Sequence, residues 1–309
     1  MLLSVIIPML NEEELCLRTY ERLESVLKEI PHELLFIDDG STDRTRELLL
    51  SAIPPGSRHR VISFSRNFGH QAAFTAGLDH AKGDAVVIID GDLQDPPELI
   101  LEMVEKWREG YQVVYAQRRK RDGESFFKLF TAKLYYRALQ KLTSVQIPVD
   151  TGDYRLMDRQ VVEALKRIPE RSRFLRGLVP WVGFKQIGIL YDREERSAGE
   201  TKYSLNKMAK LAIDGITSFS VQPLRFSLWV GLTLAILGLL GLLWSLCTAL
   251  LSNSPLNETA LLVSLLLLIG GLLSTGLGII GEYLGRIYTE VRQRPLYIIH
   301  DKQENDSDE

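Results

Sequence analysis

Short apolar runs rich in Val and Ile alternate with longer amphipathic stretches through the N-terminal part of the chain. Strands buried on both faces of a parallel sheet have this continuous apolar character, and amphipathic stretches are typical of the helices that cover them. The alternation therefore predicts an α/β fold with a doubly wound, mostly parallel sheet. The predicted strands occupy residues 3–9, 33–37, 60–65, 86–89, 112–116 and 184–191.

Acidic and amide side chains follow several of these predicted strands. Asn11 and Glu12 come after the first strand, Asp38 and Asp39 after the second, and Asp90 after the fourth. Because ligands of open α/β sheets bind outside the carboxyl ends of the strands, these side chains are expected at one ligand-binding edge. Helix capping is the alternative for Asn11 and for one aspartate of the pair. Two consecutive aspartates also suit recognition of a base or a ribose.

The segment after the fourth strand reads Asp90-Gly91-Asp92-Leu93-Gln94. Two carboxylates and one amide oxygen suit Mg²⁺ or Mn²⁺, which take few protein ligands and bridge to substrate phosphates. Gly91 lets the chain turn and lets a ligand approach closely. An Asp-Gly turn with a helix cap is the alternative explanation of the same residues.

Two later segments carry further candidate chemistry. Asp153 lies between two predicted helical stretches, where a turn is the simplest interpretation and a general base is the functional one. Arg193, Arg196 and Lys202 lie in a polar loop around Gly199. Such a loop can close over phosphates, although an ordinary surface loop explains the pattern equally well.

Composition excludes several classes of protein. The chain has 309 residues, a net charge of -3 and a pI near 6.0, which argues against nucleic acid as a partner. Its two cysteines, Cys16 and Cys247, lie in different predicted regions, so no disulfide framework is expected. No G-x-G-x-x-G follows a predicted strand, and the P-loop pattern G-x-x-x-x-G-K-[ST] does not occur.

The C-terminal part of the sequence predicts a membrane anchor. Residues 227–251 and 259–281 carry no charged side chain, and at about 1.5 Å per residue each can cross a hydrocarbon core of roughly 30 Å. The connector between them lacks Lys and Arg, whereas Arg225 precedes the pair and Arg286 and two further arginines follow it. The positive-inside rule then predicts a two-span protein of the cell membrane with both termini and the catalytic domain in the cytoplasm.

Taken together, these segments resemble the family 2 glycosyltransferases with a GT-A fold, and among them the polyprenyl-phosphate glycosyltransferases. That group includes dolichol-phosphate mannose synthase and the bacterial GtrB-type enzymes, and the GtrB-type is the nearer match. The resemblance covers nearly the whole chain. It rests on the C-terminal hairpin and on residues 4–8, 11–12, 38–43, 90–97, 151–156 and 199–204.

The resemblance implies inverting transfer of one sugar from a nucleotide-sugar to a polyprenyl phosphate at the cytoplasmic face of a lipid bilayer. UDP-glucose and UDP-N-acetylglucosamine are the favoured donors, from the subgroup alone, and GDP-mannose and modified pentoses stay open. It also implies a role for each candidate residue. Metal binding falls to Asp90, Asp92 and Gln94, catalysis to Asp92 and Asp153, phosphate binding to Arg193, Arg196 and Lys202, and nucleotide-sugar binding to Pro8, Asn11, Glu12, Asp38, Asp39, Asp90 and Gly91.

The predicted domain organisation has four parts. They are a GT-A domain at 1–205, an interfacial amphipathic segment at 206–226, a transmembrane hairpin at 227–284 with spans 227–251 and 259–282, and a cytoplasmic tail at 285–309. Two other functions compete with sugar transfer to a lipid, namely a processive polysaccharide synthase and a non-catalytic nucleotide-binding membrane scaffold. Two spans make a poor polymer channel, and the acidic metal set argues against a scaffold. The sequence leaves a homo-oligomer open.

Overall fold

A computed structural model describes residues 1–54, 56–119, 151–170, 173–192 and 258–302. These residues form a single eight-stranded sheet with helices on both faces. The strands are β1 (Leu3–Met9), β2 (His32–Asp38), β3 (Arg60–Phe64), β4 (Ala85–Ile88), β5 (Val113–Arg118), β6 (Thr151–Asp158), β7 (Gln186–Tyr191) and β8 (Ile299–Lys302). The helices are α1 (Cys16–Leu27), α2 (Thr45–Ala52), α3 (His70–His80), α4 (Leu99–Arg108), α5 (Arg159–Lys166), α6 (Leu175–Trp181) and α7 (Glu258–Arg292).

The sheet is built around β1, which is buried along its whole length. β1 pairs in parallel with β2 on one side and β4 on the other, and β3 continues the parallel arrangement beyond β2. The full order is β7-β5-β6-β4-β1-β2-β3-β8. The strands predicted from apolar runs are all present, within a few residues of their predicted ends.

The sheet is mixed, which corrects the expectation of a mostly parallel one. Residues 151–156, interpreted from the sequence as a turn, instead begin β6, which lies between β4 and β5 and is antiparallel to both. Because β6 runs backwards, its first residues reach the edge where the parallel strands end. Asp153 is thereby carried to the same edge as Asp90, since Ile88 of β4 pairs with Arg155 of β6.

Two hydrophobic layers fix the sheet between its helices. One layer packs α1, α2 and α4 on one face, with Leu23, Leu49 and Met103 among its fully buried side chains. The other packs α3, α5 and α6 on the opposite face, where Phe74 and Val161 are fully buried. Both layers leave the carboxyl edge of the parallel strands to the connecting loops.

The C-terminal region differs from the predicted cytoplasmic tail. Residues up to Arg292 belong to α7, and residues 299–302 form β8, which joins the sheet antiparallel to β3. The predicted interfacial segment 206–226 and the first predicted span 227–251 lie outside the described residues. Among the helices of the described ranges, none is found to have the length and hydropathy needed to cross a membrane.

Candidate active site

The loops after β1 and β2 are joined side by side at the carboxyl edge. Asn11 adopts a left-handed conformation with φ 53°, and its Oδ1 accepts a hydrogen bond of 2.8 Å from the amide of Thr42. In return, the amide of Asn11 donates to Ser41 Oγ at 3.0 Å, and the amide of Glu12 donates to Thr45 Oγ1 at 2.8 Å. Asn11 is therefore a clamp between two loops, and its alternative role as a helix cap is wrong because α1 begins only at Cys16.

The two consecutive aspartates hold different pieces of backbone. Asp38 Oδ1 accepts from the amide of Ser41 at 2.9 Å and so closes the turn after β2. Asp39 accepts from the amides of Phe68 at 2.7 Å and Gly69 at 3.0 Å, which lie in the loop between β3 and α3. Burial raises the pKa of Asp39, and these two amides partly oppose the shift. A carboxylate offers about four lone-pair sites, so Asp39 keeps acceptor capacity for a ligand.

Gly40 lets the loops after β2 and β3 approach each other. Its φ is +72°, and an added Cβ would clash with backbone atoms of Arg66 and lie 2.7 Å from the amide nitrogen of Asn67. We expect Gly40→Ala to lower the free energy of unfolding by roughly 2–4 kcal/mol, because it combines left-handed strain with a backbone clash. The matched control is Gly183→Ala, where φ is +77° and nothing lies within 4 Å. Equal losses in urea denaturation of the two variants would contradict the close approach.

The predicted metal-binding segment forms a strained turn after β4. Leu93 is buried and adopts φ 55°, a conformation that branched, bulky residues rarely take. Asp92 Oδ1 accepts from the amide of Gln94 at 3.1 Å. A Cβ at Gly91 would lie 2.6 Å from Met9 Sδ, so a larger residue at this turn would have to displace the Met9 side chain at the end of β1. Strained backbone of this kind is characteristic of ligand-binding sites.

Asp90 has an oxygen that suits a divalent cation. Its Oδ1 is buried and makes no hydrogen bond within the described residues, although His70 Nε2 lies 3.2 Å away. A buried carboxylate oxygen without a hydrogen bond is costly unless a cation or a ligand satisfies it. Together with Asp92 and Gln94, it forms the hard oxygen set that Mg²⁺ and Mn²⁺ prefer. The residues present therefore fit the predicted metal.

Asp153 is held by an arginine 23 residues further along the chain. Arg176 of α6 donates two hydrogen bonds to it, Nε to Oδ1 at 3.0 Å and a terminal nitrogen to Oδ2 at 2.7 Å. The Asp153 side chain is only 5% exposed. Burial opposes its charge, but Arg176 and then His70 outweigh burial and lower the pKa of Asp153 to about 2. Asp153 is consequently ionised at neutral pH.

A buried arginine of β6 itself, Arg155, supports the start of the strand. Arg155 donates to the carbonyl oxygens of Gly152 at 2.9 Å and Asp153 at 3.2 Å. Its burial lowers the pKa of the guanidinium to about 10, which still leaves it charged at neutral pH. These bonds hold the first residues of β6 in place and so fix the position of the Asp153 carboxylate.

Arg118 adds positive charge at the end of β5. Its guanidinium lies 3.4 Å from Tyr191 Oη, and Tyr191 Oη donates to the buried Asp95 at 2.5 Å. A Cβ at Gly152 would lie 3.5 Å from the Arg118 guanidinium, which places this cation beside the start of β6. The predicted phosphate-binding residues Arg193, Arg196 and Lys202 lie outside the described residues.

A cluster at the opposite end of the sheet consists of Glu24, His32 and His59. The Nε2 atoms of the two histidines each lie within 3.0 Å of Glu24 Oε1. The Nδ1 atom of His59 accepts from the amide of Leu34, so a neutral His59 carries its proton on Nε2 and has no lone pair there for a metal. Both ring nitrogens of His32 face acceptors. The cluster is therefore a hydrogen-bonded carboxylate and not a cation site.

The structure thus brings most of the predicted site residues to one edge. Pro8, next to the last residue of β1, lies beside Gly91, because a Cβ added to Gly91 would lie 3.1 Å from the Pro8 carbonyl oxygen. His70, Arg118 and Arg176 also lie at this edge and were not among the predicted site residues. His70 starts α3 and faces Asp90. An α/β sheet with acidic oxygen ligands at its carboxyl edge is the architecture of enzymes that bind phosphorylated ligands with a divalent cation.

Comparison with known proteins identifies the enzyme class. The family model described as glycosyl transferase family 2 matches residues 4–166. The uncharacterized glycosyltransferase YkcC of Bacillus subtilis (strain 168) is 51% identical over 298 residues, covering 96% of this chain and 92% of the relative. The uncharacterized glycosyltransferase sll0501 of Synechocystis sp. is 45% identical over 301 residues, covering 97% and 95%. The bactoprenol glucosyl transferase of Shigella phage SfII is 40% identical over 301 residues, covering 97% of each chain. The chain belongs to glycosyl transferase family 2 and is a glycosyltransferase.

Proposed function

We propose that the protein transfers a single sugar, with inversion, from a nucleotide-sugar to a polyprenyl phosphate. The observation that carries the proposal is the shared edge, where Asp90 presents a buried carboxylate oxygen that faces His70 and where Arg176 holds the Asp153 carboxylate. The relatives named bactoprenol glucosyl transferase support a lipid acceptor. UDP-glucose and UDP-N-acetylglucosamine are the proposed donors.

The donor would lie across the loops after β1, β2 and β4. Asp39, with remaining acceptor capacity, would bind the base or ribose, while Asn11 and Asp38 hold the loops that shape its pocket. Asp90, Asp92 and Gln94 would hold Mg²⁺ or Mn²⁺. When bound, that cation neutralises the negative charge that develops on the leaving nucleoside diphosphate. The strained turn at Leu93 keeps these oxygens oriented toward the donor.

Asp153 is better suited to an electrostatic role than to that of a general base. A carboxylate with a pKa of about 2 binds a proton weakly at neutral pH. The proposed acceptor needs little activation by a general base, because a phosphate monoester with a second pKa near 6 is already largely ionised at neutral pH. We assign Asp153 to stabilising positive charge at the sugar carbon, with Arg176 orienting its carboxylate. Arg118, Arg193, Arg196 and Lys202 are the proposed partners of the phosphates.

A panel of donors tests this function directly. Membranes containing the protein are incubated with undecaprenyl phosphate, Mg²⁺ or Mn²⁺, and each of several radiolabelled nucleotide-sugars. We expect one UDP-sugar to yield a product that extracts into organic solvent and releases its sugar on mild acid treatment. Membranes with the Asp92→Asn variant are the matched control. Label that accumulates as a water-soluble polymer would identify a polysaccharide synthase instead, and no label with any donor would refute the proposal.

We further propose that the protein is anchored in the cell membrane by two spans, 227–251 and 259–282, with both termini cytoplasmic. The support is the charge pattern of the sequence, since the connector lacks Lys and Arg and cationic residues flank the pair. In a variant with Cys16 and Cys247 replaced by Ser, we introduce single cysteines at Asn253 and Ser307. An impermeant thiol reagent is expected to label position 253, and not 307, in intact cells. The reverse pattern would invert the topology, and equal labelling only after lysis would place both positions inside.

A further inference from the structure

The chain returns to the catalytic sheet after α7 and adds β8 to its edge. β8 pairs antiparallel with β3, with Ile62 opposite Lys302 and Phe64 opposite Ile299. The amide of Ser65 donates to the carbonyl oxygen of Ile298 at 3.0 Å, which extends the pairing toward the loop that follows β3. That loop, residues 65–69, is the one whose amides bind Asp39.

Aromatic contacts continue from this segment to Asp39. The Tyr297 ring stacks on Phe64, with centroids 5.1 Å apart and planes 15° apart. Phe64 meets the edge of Phe68 at 5.8 Å and 90°, and the amide of Phe68 donates to Asp39 Oδ1 at 2.7 Å. Each step is a direct contact. Displacing Tyr297 would therefore remove packing from Phe64 and Phe68, which hold the loop 65–69 in place.

Tyr297 is also fixed from the side of α3. Its hydroxyl donates to Asp79 Oδ2 at 2.9 Å. Burial and the neighbouring Asp79 raise the pKa of Tyr297, so the hydroxyl keeps its proton at neutral pH. α3 begins at His70, which faces Asp90, so Tyr297 contacts both elements that frame the loop 65–69.

We propose that residues 297–302 support the donor site from outside it, with Tyr297 as a positioning residue that holds the loop 65–69 and, through it, Asp39. This inference rests on the proposed nucleotide-binding role of Asp39. A strand that only covered the open edge of β3 would protect the sheet from aggregation, and it would need no stacked ring leading toward a ligand site. The segment therefore links α7 to the nucleotide pocket in the same chain.

The test compares Tyr297→Ala with Tyr288→Ala in the full-length protein. Tyr288 is an exposed aromatic residue of α7 that contacts Arg292, so it controls for loss of a tyrosine near the C-terminus. We expect Tyr297→Ala to raise the KM for the donor, and the Kd for UDP measured by calorimetry with Mg²⁺, by about three- to tenfold. The same titration is repeated with GDP, because the nucleotide of the donor is itself part of the proposed function. The KM for polyprenyl phosphate should stay unchanged, and Tyr288→Ala should match the wild type.

Amide hydrogen exchange provides a readout that does not depend on the proposed function. Because Phe68 and Gly69 donate to Asp39, their amides should exchange faster in Tyr297→Ala and at the wild-type rate in Tyr288→Ala. If Tyr297→Ala does not fold, Tyr297→Leu keeps apolar bulk without the stacked ring and takes its place. Unchanged exchange and unchanged Kd, with only a lower Tm, would overturn the inference and leave β8 as an edge cover. A wild-type protein that transfers no sugar would instead refute the proposed function.

Discussion

Asp92→Asn is expected to reduce kcat at least about a hundredfold while the protein stays folded. The substitution keeps the shape of the side chain and removes one negative charge from the proposed metal ligand set. Asp92 Oδ1 accepts from the amide of Gln94, and an asparagine oxygen can accept the same bond, so the turn should persist. Initial rates are measured with saturating donor and acceptor and with increasing Mg²⁺ or Mn²⁺, and folding is checked by the Tm.

Glu102→Gln is the matched control for this charge change. Glu102 is an exposed carboxylate of the neighbouring α4, so its variant loses the same charge without touching the turn. We expect it to turn over at the wild-type rate. If Asp92→Asn also reached that rate at saturating metal, the metal would have to be bound by other residues.

The strands could be predicted because each apolar run indicates a buried strand without reference to residues distant in sequence. β1, β2 and β4 are made mainly of Val, Ile, Leu and Phe, and these strands are buried through the helices on both faces. β6 escaped prediction because its sequence, Thr-Gly-Asp-Tyr-Arg-Leu-Met-Asp, carries charged residues in a buried position. Those charges are paired with residues distant in sequence, above all Asp153 with Arg176. A local sequence pattern does not indicate such pairing.

The position of the site could also be predicted, but the function of its individual groups could not. Placing Asp90 at the carboxyl edge required only strand direction and chain order, whereas Asp153 reaches that edge through β6, which was not predicted. Whether Asp153 is a base or a fixed charge depends on a residue 23 positions away, brought in by α6. Likewise, Asn11 looked like a helix cap because its partner, Thr42, belongs to another loop.

Arg176→Met is expected to lower the free energy of unfolding by about 3–5 kcal/mol at pH 7. The variant keeps much of the side-chain volume but leaves the Asp153 carboxylate buried without its bidentate partner, and removing one member of a buried pair has a cost of this order. The double variant Arg176→Met with Asp153→Asn should recover part of the loss, because no uncompensated charge then remains. Urea denaturation of the four proteins gives the coupling energy as a double-mutant cycle.

The pH dependence of stability follows from the same pair. The pKa of Asp153 in the folded protein is about 2, below its value in the unfolded chain. The pair therefore contributes stability above about pH 4, on the order of 2 kcal/mol, and this contribution is lost as the pH falls from about 4 to about 2. Asp153→Asn should lack that acid-dependent loss. The pH profile of kcat/KM of the wild-type enzyme should show no limb caused by protonation of Asp153 between about pH 5 and pH 8.

Arg173→Met is the control for losing a cation near the start of α6. Arg173 donates to the backbone carbonyl oxygens of Ile168 and Glu170 and leaves no buried charge when removed, so its loss should cost less than that of Arg176 and should not alter the acid-dependent loss of stability. If Arg176→Met were no less stable than Arg173→Met, the Asp153–Arg176 pair would contribute little. A limb in the wild-type kcat/KM profile that Asp153→Asn removes would restore Asp153 as the general base, because only a group that titrates in that range can produce it.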